Sequence, residues 1–199
     1  MSTYIVIAVI VALAVYAIVI YNGLVALKHG VSKAWSNIDV LLKQRHDELP
    51  KLVEVCRQHM QFEAGTLEKI IQARSGAKAA LDKGDVKGVG AAEGLLRQGL
   101  GGIVATVEAY PELRANQSLQ TLLGRITGLE NAIADRREFY NESVNVNNVR
   151  IEQFPDVIVA RMAGFKAAEL LEFETGEVAD VDVKALFSDF AEARKERFQ

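Results

Sequence analysis

Apolar and polar positions follow two regimes along this chain. Residues 4–21, YIVIAVIVALAVYAIVIY, are eighteen positions without a charge, and residues 22–27 postpone the first charge to Lys28. Beyond it, apolar residues recur in steps of three, four or seven: Val31, Trp35, Ile38, Leu42, Leu49, Leu52, Cys56, Met60, Leu67 and Ile70, with Arg45 and Glu63 at the skipped positions. Such steps place the residues on one face of a helix. The stripe stays in phase across Pro50, so the spacing predicts one long helix over residues 22–80, kinked at Pro50 and roughly 85–90 Å long. That helix continues the apolar run with no linker between them.

Two further long helices are expected. One starts at Asp85, a residue suited to capping, and ends at the YPEL stretch that begins with Tyr110. The other runs from Asn116 to Phe154, before Pro155. Its stripe is Leu119, Leu122, Ile126, Leu129, Ile133, Arg137, Tyr140, Val144, Asn147 and Ile151, a heptad seam with one stutter at Ile133–Arg137. Residues 154–165 read as a short apolar helix closed by Gly164, residues 169–183 as a loose acidic tail, and residues 183–198 as an amphipathic segment through Leu186, Phe187, Phe190 and Ala193. Neither strand alternation nor an internal repeat appears. The expected fold is all-α: an N-terminal transmembrane helix continuous with an elongated up-and-down antiparallel bundle of three long helices plus a short fourth. The expected partition is an anchor over 1–27, a bundle over 28–165, and a tail over 166–199.

Eighteen apolar residues suffice to cross the ~30 Å hydrocarbon core as a helix. Tyr4 and Tyr21 sit at the ends, where amphipathic rings prefer the interface. A cleaved signal peptide would need basic residues before the apolar run and a small-residue site after it, and neither is present. Lys28, Lys33, Lys43 and Arg45 follow the run and no Lys or Arg precedes it. The basic flank predicts the N-terminus outside and the bundle in the cytoplasm. The run carries no charge or glycine, which argues against an ion path, and Ala8 and Ala12 form one small-xxx-small pair.

Composition narrows the class. Half of the 199 residues are apolar and a quarter charged, the balance of a folded chain. The net charge of −3 leaves no basic face for nucleic acid. Cys56 is the only cysteine, so there is no intrachain disulfide and no C-x-x-C site.

Candidate chemistry is thin. His46 and Asp47 are neighbours in sequence, but adjacent helical residues point about 100° apart and do not face each other. His59 and Glu63 share a helical face, yet two ligands do not make a metal site. The stretch GVGAAEG, residues 88–94, looks like a phosphate-binding loop but follows no strand. The second helix is rich in glycine, each costing roughly 0.5–1 kcal/mol relative to Ala, and close helix–helix approach is the expected return. Arg137 falls on the seam of the third helix. A buried guanidinium needs carboxylate partners, and Glu130, Glu108 and Glu68 are the candidates; the expected result is an internal ion pair that fixes helix register.

The stretches YNGLV, AWSNIDVLLKQRHDELPKLVE, EAYPELRAN, ENAIADRREFYN and RIEQFPD occur in this order. Together they resemble the LemA family of bacterial membrane-anchored proteins, over about residues 21–165. The resemblance implies an N-terminal anchor, a helical bundle and no enzyme activity or cofactor; one branch of the family works in building magnetosome membranes. Trp35, Asp39, Arg45 and Pro50 lie in the second stretch, Glu108, Tyr110 and Asn116 in the third, Glu130 and Arg137 in the fourth, Phe154 and Pro155 in the fifth. Trp35 is expected in the core, Asp39 and Arg45 in ion pairs, and Pro50 at a kink. The chain departs from the family where a Tyr-Asn pair is replaced by Asn147-Asn148, and in its glycine-rich second helix.

The expected protein is a single-span protein of the bacterial inner membrane, non-catalytic, acting by self-assembly or scaffolding. Its partners are then the bilayer and further copies of itself, paired through the part of the first stripe, between Val31 and Met60, that the shorter helices leave bare. The rival is an adaptor that docks a soluble protein partner through its bundle or terminal amphipathic segment.

Overall fold

A computed structural model describes residues 1–58 and 64–173. The described residues hold no strand and six helices: α1 (Ser2–Arg57), α2 (Ala64–Lys83), α3 (Val86–Ala109), α4 (Pro111–Arg114), α5 (Gln117–Glu152) and α6 (Asp156–Ala163). Their ends follow from local chemistry. The Asp85 carboxylate accepts from the Gly88 amide at 2.9 Å and the Asn116 side chain from the Leu119 amide at 3.1 Å, each satisfying an N–H that the first helical turn leaves open. Pro111 opens α4, where a missing N–H costs nothing. Gly164, at φ 72°, closes α6 in the left-handed conformation that glycine adopts without strain.

α1 runs unbroken for 56 residues from the apolar run into the bundle. Apolar side chains from residues 4–19 stand exposed in the isolated chain, so their cover has to come from outside it. The single helix expected over residues 22–80 is not formed. α1 ends at Arg57, and α2 runs back beside it: Arg74 reaches His46, and Leu67 and Ile70 share a core with Leu49, Leu52 and Cys56. The two stripes are in phase, so periodicity alone carries no sign of the reversal. Met60, His59 and Glu63 lie outside the described residues.

α3 returns antiparallel against α2, and α5 then descends the whole bundle along α1. Three apolar clusters stack along α1. The far cluster joins Leu52 and Cys56 to Ile70, Leu100, Leu119 and Ile126. The middle one joins Ile38 and Leu42 to Val89, Ile133, Tyr140 and Leu171. The third, beside the apolar run, joins Ile20 and Leu24 to Ile151 and Ala160. The stripe expected to lie bare on the first helix is therefore covered. Ala34, Ile38, Leu42, Leu49, Leu52 and Cys56 are all buried.

Candidate interaction site

Like Glu93, Arg45 is fully buried, at 0 % exposure. It occupies one of the skipped positions of the α1 stripe, so helical geometry carries it inward with Leu42 and Leu49. Its Nη1 donates to Glu130 of α5 and its Nη2 meets the buried carboxylate of Glu93 from α3. Arg97 Nε stands 3.7 Å from the other oxygen of Glu130. His46 Nε2 lies 3.0 Å from Glu93 Oε1. One guanidinium thus ties three helices together. Burial pulls its pKa below the usual arginine value, and Glu130 opposes that pull; a guanidinium keeps its charge regardless.

His46 feels the same core differently. Burial, with the positive charges of Arg45 and Arg74 nearby, lowers its pKa to about 4. The Glu93 carboxylate alone would favour an imidazolium, but Arg45 already engages it. His46 is neutral at pH 7 and donates to Glu93. The nearby Pro50 has a local role of its own. Lacking an N–H, it cannot bond the carbonyl four residues back, which is that of His46. Arg74 of α2 takes that carbonyl at 2.8 Å, so the helix's missing bond becomes an inter-helix contact.

After Gly164, residues 165–173 run as an extended strap back up the bundle along α5. The Asn148 side chain accepts from the Ala168 amide at 2.9 Å and donates to the Ala168 carbonyl at 2.9 Å. Asn141 does the same at Leu171, accepting at 2.8 Å and donating at 3.1 Å. Seven helical residues rise about 10.5 Å, and three extended residues span about 10 Å, so the two periods match. Between these clamps Tyr140 donates its hydroxyl to the Glu169 carbonyl at 2.8 Å. The strap is held by its backbone, while Leu171 is buried in the middle cluster. It passes directly over Gly90, where a methyl group would overlap the carbonyl of Glu172. The loose acidic tail expected over residues 169–183 is thus an ordered strap as far as residue 173; the rest of it and the terminal amphipathic segment lie outside the described residues.

The residues singled out from sequence fall as follows. Trp35 packs on Tyr140, ring centroids 5.4 Å apart. Asp39 pairs with exposed Lys43 at 2.6 Å, a surface contact within one helix. Pro50 is exposed inside α1, Tyr110 precedes α4, and Asn116 caps α5. Phe154 is exposed in the turn before α6, and Pro155 precedes its first residue. The ion pair expected at Arg137 needs correction. Arg137 is only half-buried and lies over the Phe173 ring at 4.5 Å, while Glu68 and Glu108 are exposed on the surfaces of α2 and α3. The Arg137 guanidinium meets an aromatic face of the strap, and no carboxylate of α2 or α3 is paired with it among the described residues. The guanidinium that pairs with Glu130 is Arg45.

Glu93, Arg74, Asn141 and Asn148 were not found from sequence. Glu93 was legible: it sits in the buried series Val89, Glu93, Leu96, Leu100, Ile103, Val107 on α3, with steps of three and four. The close approach expected of the glycines is seen at Gly99, whose hydrogen faces Ile70 of α2 where a methyl would stand 2.7 Å from Cγ1, and at Gly90 under the strap. Among the described residues, no group of three His, Cys, Asp or Glu side chains is placed to hold a metal ion.

The sequence model described as LemA family matches residues 34–185, which takes in the bundle and the strap. Magnetosome protein MamQ 2 and magnetosome protein MamQ 1 of Paramagnetospirillum magneticum are each 24 % identical over 192 residues, covering 85 % of this chain and 71 % of theirs. Magnetosome protein MamQ of Magnetospirillum gryphiswaldense is 24 % identical over 172 residues, covering 75 % of this chain and 63 % of its own.

Proposed function

This chain belongs to the LemA family, and from that premise we propose that it is a non-catalytic, single-span membrane protein that assembles side by side with its own copies to scaffold the membrane. The bundle faces the cytoplasm of a bacterial cell, since Lys28, Lys33, Lys43 and Arg45 all follow the span. Relatives that carry the name magnetosome protein support a membrane setting.

The observation that carries the scaffold reading is the continuity of α1, one helix from residue 2 to residue 57. A helical junction fixes the bundle's orientation relative to the bilayer, whereas a tether for catching partners works best as a flexible linker. Neighbouring copies then stand parallel and present the same faces. The outer side of α5 offers one such face, with Phe139, Val146 and Val149 exposed at steps of seven and three. The charged cluster around Arg45 fits a structural role, sealed from substrates and balanced by its own carboxylates.

Cysteine scanning tests this in native membranes. Val146→Cys should cross-link to a second copy with a short bis-maleimide, and Gln120→Cys, at the far end of the bundle, should stay inaccessible to an impermeant maleimide in intact spheroplasts. If positions 139, 146 and 149 all fail to cross-link, side-by-side assembly is wrong. The adaptor reading then takes its place; what supports it is the strap, an extended segment of this chain that α5 holds by its backbone.

A further inference from the structure

The height of α6 on the molecule is fixed by its contacts. Ala160 is buried against Ile20, Leu24 and Ile151, and Val159 and Phe165 pack on the same cluster. Phe165 also meets the Tyr21 ring edge-on, with centroids 5.9 Å apart. Ile20 lies eight residues before Lys28, the first charge, which places it about 12 Å to the membrane side of that charge along α1. A helix packed on Ile20 and Leu24 is therefore level with the last turns of the span.

The outward face of α6 is apolar at that level. Ile158 is 52 % exposed and Met162, one turn on, 85 %; Phe154, in the turn just before the helix, is 78 % exposed. Large exposed apolar side chains next to a membrane span call for cover. Basic side chains stand nearby: Arg161 on α6, and Lys28, about 6 Å further along α1 than Leu24, which with Lys166 lines a cavity of about 580 Å³ between α1 and the start of the strap. Long basic side chains near a span end reach toward the phosphate layer with their stems in apolar surroundings.

We infer that α6 is a second membrane contact: it lies in the bilayer interface with Phe154, Ile158 and Met162 in the acyl boundary. The occupant is lipid because the lipid that covers the exposed side chains of the span at Tyr21 is continuous with the outer side of α6. An amphipathic helix of this kind buries its apolar face about 5–10 Å below the headgroups. The bundle is then seated on the bilayer at two points, the span and α6, and cannot swing about the span alone. This inference rests on the reading of residues 4–21 as a membrane span.

The test uses the full chain in vesicles of phosphatidylethanolamine and phosphatidylglycerol. An environment-sensitive fluorophore is attached at Met162→Cys, with Val11→Cys and Gln120→Cys as references; native Cys56 is buried and its thiol pKa is pushed up to about 12, so it stays unlabelled. The expected result is strong quenching at position 162 by lipids carrying a nitroxide high on the acyl chain, several-fold above position 120, with protection from a water-soluble quencher. Position 11 reports the span separately. If it is lipid-buried while position 162 is quenched only from water, α6 is not interfacial and the span reading stands. If position 162 is protected from both quenchers, protein covers it and the inference is equally overturned. Lipid-borne photo-crosslinking of the unsubstituted protein gives the same answer without a mutation: adducts on residues 154–162 support it, and adducts confined to the span contradict it.

Discussion

Arg45 carries a full charge into a core where water does not follow, and the surrounding residues are arranged around that fact. Glu93 and Glu130 neutralise it from two other helices, and Arg97 balances the second carboxylate. Buried ion pairs rarely add net stability, but an orphaned member is costly. Arg45→Met should therefore lower unfolding free energy by about 3–5 kcal/mol, because it strands Glu93 beside Glu130. The triple change Arg45→Met, Glu93→Leu, Glu130→Gln should recover most of that loss in denaturant melts. A single variant no worse than the triple would remove the cluster from the account. His46 adds a pH dependence with a definite sign. Its folded pKa is about 4 against 6.5 when unfolded, so the unfolded chain binds the extra proton. Its contribution is fully present above pH 6.5 and is lost as pH falls through about 4. The loss is at most about 3 kcal/mol, and His46→Gln should flatten that part of the stability profile. At this scale sequence was an even-handed guide. Arg45 and Arg137 both occupy stripe positions, and the same pattern implied burial for each. What separates them is the partner each meets, Glu93 of α3 and Glu130 of α5 for Arg45 and the Phe173 ring of the strap for Arg137, which no local pattern records.

At the scale of elements, the strap is the least conspicuous part in sequence and among the best held in structure. Asn141 and Asn148 grip peptide groups rather than side chains, so the strap needs no periodicity of its own, and residues 166–173 read as tail. Asn141→Ala should remove two hydrogen bonds at Leu171, worth about 1–3 kcal/mol together. Hydrogen exchange is the direct readout. The amides of Ala168 and Leu171, which donate to these side chains, should lose protection in Asn148→Ala and Asn141→Ala respectively, while α5 amides keep theirs. Unchanged exchange at both amides would mean the clamps do not hold the strap. The helices themselves were legible where caps and stripes mark them, as at Asp85 and Asn116. The turn between α1 and α2 was not, because two antiparallel helices facing one core continue the same apolar phase. Pro50, read as a kink, proves to matter through the carbonyl it frees for Arg74.

For the whole molecule, the continuous α1 sets the geometry on which the functional reading depends. The expectation that a bare stripe on this helix drives assembly does not survive, since α2 and α5 bury it. The surface proposed for self-association is instead the outer side of α5, which is legible only once the inner seam is known. The scaffold role proposed above rests on this geometry, a bundle joined without a linker to an apolar helix long enough to cross a membrane. Light scattering of the full chain in mild detergent tests this most directly. The account predicts a uniform species of several chains of 21.8 kDa, falling to one chain in Phe139→Glu/Val146→Glu with helicity unchanged. A single 21.8 kDa chain in the unsubstituted protein would contradict it.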